Sequence, residues 1–142
     1  MTTVAALQSC LAGEHAAIYG YGVVGGALAV TAKASPDVAL AQASYDVHRR
    51  RRDDLTQLVA ALGAEPVAAE PGYAMPFEVV DHNGARRLAR EIEHSTAATY
   101  SMAVASTTAA MRRFTAEALA DCATREVTWG AIPEAFPGIN QP

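Results

Sequence analysis

Cysteine is nearly absent. Cys10 and Cys122 are the two in 142 residues and lie far apart in sequence, which excludes a disulfide scaffold and a zinc knuckle and fits a reducing cytoplasm. Basic charge is also scarce, with 11 Lys and Arg against 15 Asp and Glu and a net charge of −4, so the basic footprint of a nucleic-acid surface is missing. Aromatic residues make up only 6% of the chain, too few for a core built on large rings. No apolar run is long enough to span a bilayer, because the stretch from Ala16 to Thr31 is broken by Gly20, Gly22, Gly25 and Gly26. Leu7-Gln8-Ser9-Cys10 has the outline of a lipoprotein cleavage site, but neither a basic nor an apolar region precedes it, and no export signal is expected. The expectation is a soluble, cytoplasmic protein with no nucleic-acid and no membrane partner.

What the chain has in quantity is alanine, 32 residues of it. Small side chains of high helix propensity let helix axes approach closely, so the composition predicts an all-α protein. The length predicts one domain, residues 1–142, around a sizeable core.

The first helix is expected from Thr3 to Ala32. Its stripe of Leu7, Leu11, Glu14, Ile18, Tyr21, Gly25 and Leu28 recurs at spacings of four and three, the period of one buried helix face. Glu14 therefore points inward, where a carboxylate has to be ion-paired, hydrogen-bonded, protonated or metal-bound. The second helix starts at Ser35-Pro36-Asp37, with Ser35 as cap, and ends at Gly63. Its inward stripe is Ala41, Ser44, His48, Arg51, Leu55, Leu58 and Leu62. From about 64 to 83, Pro66, Pro71 and Pro76 forbid a long helix, which predicts a long crossover that leaves the second and third helices parallel. The third helix begins near Asp81 to Gly84 and runs to about Ala110, with Glu93 on its broad inner face. A break at Met111-Arg112-Arg113 precedes the fourth, whose stripe is Thr115, Leu119, Cys122, Glu126 and Trp129. Gly130 and Pro133 end it, and an irregular tail covers about 131–142.

Each helix thus presents an ionisable side chain near its middle: Glu14, His48, Glu93 and Glu126. Carboxylate-bridged metal bundles use one Glu from each of two helices and a Glu-x-x-His from each of the other two. Here the second helix reads Tyr45-Asp46-Val47-His48 and the fourth Glu126-Val127-Thr128-Trp129, each keeping one member of the motif. Glu91-Ile92-Glu93-His94 is formally a Glu-x-x-His, but His94, like His15, falls off the stripe and reads as a rim residue. The Arg49 to Arg52 run, followed by Asp53 and Asp54, reads as a solvated face. Cys122 reads as a small buried hydrophobe, and the first-helix glycines as close helix contacts, within the protomer or across a dimer.

This plan resembles the ferritin-like superfamily. EHAAIYGYGVVGG, HRRRRDDL, PGYAMPF and the terminal REVTWG are, more closely, similar to an actinobacterial alanine-rich ferritin-like family of unknown function. The resemblance implies a ferritin-like four-helix bundle with a long crossover, a homodimer, and metal-ligand positions at Glu14, His48, Glu93 and Glu126; Tyr45 and Trp129 depart from the ligand set. Two readings of the core follow. In one, Arg51 joins Glu14, Tyr45, His48, Glu93 and Glu126 in a charge-paired network with no cofactor, and the bundle is non-catalytic or binds a partner molecule. In the other, the four ligand positions hold iron or manganese and the protein is an oxidoreductase acting on oxygen or peroxide. A small-molecule carrier with a ligand between the helices is a third reading, without a residue that selects the ligand.

Overall fold

A computed structural model describes residues 1–139. Four helices carry the fold: α1 (Thr3–Thr31), α2 (Asp37–Ala61), α3 (His82–Ser106) and α4 (Ala109–Thr128), with no strand among the described residues. Three of the four starts have a side-chain oxygen that accepts from a first-turn N–H. The Thr2 hydroxyl accepts from the Ala5 N–H, the Ser35 hydroxyl from Asp37, and Asp81 Oδ1 from Gly84 at 2.7 Å. Gly63, at φ +78°, follows the end of α2 in the left-handed conformation that glycine adopts without strain.

The α1 helix packs against α2 and α3, and α3 packs against α4. Asp37 at the start of α2 binds both His82 and Arg86 at the start of α3, so these two helices begin at the same end and run parallel. The crossover returns the chain along α1, to which it is pinned at three levels. Gln8 donates to the Glu65 carbonyl and accepts from the Val67 N–H, the His15 ring donates to the Val67 carbonyl, and Tyr19 packs on Tyr73 with ring centroids 5.6 Å apart. An aperiodic segment of this length holds its place because α1 supplies the partners its backbone lacks.

One boundary differs from the sequence reading. The third helix ends at Ser106, and the break falls at Thr107-Thr108 rather than Met111 to Arg113. Both threonines are extended, at φ −121° and −136°, and Thr107 Oγ1 donates to the Ala103 carbonyl at 2.7 Å, so a buried Thr107 and an exposed Thr108 turn the corner. The tail lies on α3. Gly138, at φ +73°, sits so close that a Cβ there would stand 2.5 Å from Ala98 Cα. Positions 140–142 of the expected tail lie outside the described residues.

The core divides in two. Leu7, Leu11, Leu55, Val59 and Ala103 belong to one apolar cluster, and Val24, Leu28, Ala41, Leu88 and Trp129 to the other. A layer of buried polar groups separates them.

Candidate functional site: a buried carboxylate and imidazole layer

Glu14 of α1, His48 of α2 and Glu93 of α3 are each fully buried, at 0% exposure. The His48 ring bridges the two carboxylates: Nδ1 lies 2.6 Å from Glu14 Oε2 and Nε2 lies 3.3 Å from Glu93 Oε1. A neutral imidazole donates from one nitrogen only, so two carboxylate partners call for the imidazolium form. Tyrosines complete the layer. Tyr100 donates to Glu14 Oε1 at 2.6 Å, and Tyr21 donates to Glu93 Oε1 at 2.5 Å. Trp129 Nε1 donates in turn to the Tyr21 hydroxyl at 2.9 Å, and the Tyr21 ring stacks on His48 with centroids 5.3 Å apart. Glu93 Oε2 alone is buried without a partner among the described residues.

A second cluster adjoins this layer between α2 and α4. Arg51 donates to Asp121 Oδ2 at 2.5 Å and to Cys122 Sγ at 3.3 Å, and its guanidinium stands 5.9 Å from the Tyr100 ring centroid. Arg125 shares Asp121 Oδ2 at 2.8 Å and reaches the buried Ser44 hydroxyl at 3.2 Å. Counted fully ionised, Glu14, Glu93 and Asp121 are balanced by His48, Arg51 and Arg125.

The electrostatics follow from these contacts. Burial works against a charged His48, but the hydrogen bonds and charge of Glu14, then of Glu93, outweigh it and push the imidazole up to about 9. Burial, with Glu14 adding to it, pushes Cys10 up to about 12. Burial also drives Tyr21, Tyr100 and Cys122 well above their ordinary ranges, with the Glu93 charge adding at Tyr21 and Cys122 and the Glu14 charge at Tyr100. All four groups stay protonated near neutral pH. Asp121 is held below the usual carboxylate range: burial opposes its charge, and the Arg125 hydrogen bond and the Arg51 charge overcome it.

Of the residues singled out from sequence, Glu14, His48 and Glu93 come together and Glu126 stays apart. Glu126 pairs with His94 at the rim, with Oε1 3.2 Å from Nδ1, and burial raises its carboxyl against the pull of that histidine. Arg51 is buried as expected, but its hydrogen bonds go to Asp121 and Cys122, leaving Glu14 to His48 and Tyr100. Tyr45 makes no hydrogen bond in the layer and instead meets the Arg49 guanidinium, 5.7 Å from its ring centroid. Of the first-helix glycines, Gly20 is a close contact, since a Cβ there would stand 2.6 Å from Ile92 Cδ1. A Cβ at Gly22, Gly25 or Gly26 would meet no atom of the described residues within 4 Å.

The sequence reading assigned no part in the layer to the Tyr21 and Tyr100 hydroxyls, to Asp121 or to Arg125. For the tyrosines a signal exists. Glu14 and Tyr21 are seven residues apart on α1, and Glu93 and Tyr100 are seven apart on α3. On antiparallel helices that spacing sets each glutamate opposite the other helix's tyrosine.

A two-metal carboxylate centre does not fit this donor set. Both His48 nitrogens and three of the four Glu14 and Glu93 oxygens are engaged, and Glu126 is paired elsewhere. Among the described residues Glu93 Oε2 is the one unpartnered carboxylate oxygen of the layer, where even a tetrahedral site needs several donors. No group of three or more His, Cys, Asp and Glu among the described residues is arranged to hold a metal ion.

No helix among the described residues is long and apolar enough to cross a membrane. No curated protein matches the chain. The crystal structure of a conserved hypothetical protein, rv2844, from Mycobacterium tuberculosis is similar, at 35% identity and a TM-score of 0.80 over 89% of this chain and 93% of that one. The model of the domain of unknown function DUF4439 matches residues 6–141, nearly the whole bundle together with its polar layer, and the chain belongs to that family.

Proposed function

We propose that this protein is a ferritin-like bundle that acts by binding, not by catalysis, and that its carboxylate and histidine layer is closed by charge pairing. The single long crossover between α2 and α3 is the connection that marks ferritin-like topology among four-helix bundles. The observation that carries the reading of the core is His48, whose two ring nitrogens are both taken by carboxylates. An imidazolium held this way has no lone pair to offer a metal. An iron- or manganese-dependent oxidoreductase would require His48 to lose its proton and both glutamates to leave their tyrosines. The same reading makes the protein a cytoplasmic homodimer, with the open glycine face of α1 as the self-contact.

Metal content decides between the two readings of the core. The protein is expressed with iron and manganese supplied, purified without chelator and analysed beside Glu14→Ala. Charge pairing gives a wild type without bound metal. About one or two equivalents of iron or manganese, lost in Glu14→Ala, would overturn it.

A further inference from the structure

The seam between α1 and α3 holds a groove of about 460 Å³ whose third wall is the crossover around Tyr73, Met75 and Pro76. Its volume lies in the range of small-molecule sites. The α1 wall is a strip of Gly13, Ala16, Ala17 and Gly20, none carrying more than a methyl group, so it is flat. At Gly20 the helices touch through Ile92 and close one end. At Gly13 an added Cβ would meet only Thr99, 4.0 Å away, so neither packing nor a positive φ requires glycine there.

Of the hydroxyls in the wall, the two threonines are already committed, Tyr73 accepts from the Glu70 N–H, and Ser95 is exposed. Thr96 Oγ1 donates to the Ile92 carbonyl at 2.7 Å and Thr99 Oγ1 to the Ser95 carbonyl at 3.1 Å, so these hydroxyl protons stay with their own helix. No lysine or arginine lines the groove, and the one charged side chain in its lining is the exposed Glu91. The crossover stands beside the seam because Gln8, His15 and Tyr19 pin it to α1, and it contributes an aromatic ring and a pliable methionine. We propose that the groove between α1, α3 and the crossover binds a flat apolar small molecule that carries no negative charge.

The groove supplies a ligand class for the binding role proposed above and rests on it. Its test is separate from the metal content of the core: a metal-free core with an empty groove would remove the ligand and keep the charge pairing. The probe is the neutral fluorophore N-phenyl-1-naphthylamine, titrated beside its anionic relative 8-anilinonaphthalene-1-sulfonate. Saturable binding of one neutral probe per chain is expected, with the anionic one at least about tenfold weaker. Ala16→Phe fills the groove from one wall and Thr99→Phe from the other, and each is expected to weaken the neutral probe by about tenfold or more. Ala29→Phe, beside a second depression between α1 and α2, leaves it unchanged. Circular dichroism reports folding, and if one filling variant fails to fold the other decides. Absence of saturable binding, equal affinity for the anionic probe, or loss of binding in Ala29→Phe alone would overturn the proposal.

Discussion

His48 is the residue on which the interior turns. It is fully buried, and it separates two carboxylates that would otherwise face each other with no cation between them. Replacing it by phenylalanine keeps a ring and removes both donors, so unfolding free energy should fall by about 3–5 kcal/mol in urea denaturation. The pH dependence has a definite sign. With the imidazole raised from 6.5 in the unfolded chain to about 9 in the fold, its contribution is complete below pH 6.5 and lost as pH rises through 9. That interval corresponds to about 3 kcal/mol. Stability of the wild type should decline across it, and this decline should be missing in His48→Phe. The importance of His48 was legible in its place on an apolar stripe; its charge state was not, because that depends on two glutamates 34 and 45 residues away in sequence.

At the scale of helices, α1 and α3 exchange the same interaction twice. Tyr21 of α1 serves Glu93 of α3, and Tyr100 of α3 serves Glu14 of α1. Either tyrosine changed to phenylalanine leaves a carboxylate without its phenol donor, and each substitution should cost about 1–3 kcal/mol by chemical denaturation. Because both carboxylates also meet His48, the double variant Tyr21→Phe/Tyr100→Phe should deviate from the sum of the two. Simple additivity would mean that the halves of the layer act independently. The stripes were legible because helix period and burial go together: ten of the fourteen residues expected inside α1 and α2 are buried, whereas Ile18, Gly25 and Leu58 are half-buried and Leu62 is exposed. The α3 to α4 corner was not. Arginines and a methionine looked like the break, whereas the turn is made by the extended Thr107 and Thr108, and the Thr107 hydroxyl finds its partner in Thr115, eight residues on.

The described residues form two apolar clusters joined through a polar layer that three helices share, with α4 packed on α3 and tied to α2 by the Arg51–Asp121 ion pair and the Arg125–Ser44 hydrogen bond. Four helices, their order and the long crossover could be read from alanine content, period and proline placement, since each is a local or composition-level property. The ligand-like set could be read only in part. Glu126 carries the right side chain at the right helical phase, yet it pairs with His94 at the rim. The α1–α3 groove left no pattern in the chain, because it arises from where the crossover is pinned.

The most direct measurement is the protonation state of the His48 ring in the intact protein, followed by NMR of ¹⁵N-histidine-labelled protein, with His48→Phe identifying the resonance. A charge-paired layer requires both ring nitrogens to carry protons at pH 7 and to titrate near 9. A neutral single tautomer at pH 7, or a signal broadened or shifted by bound iron or manganese, would contradict it and return the layer to metal chemistry.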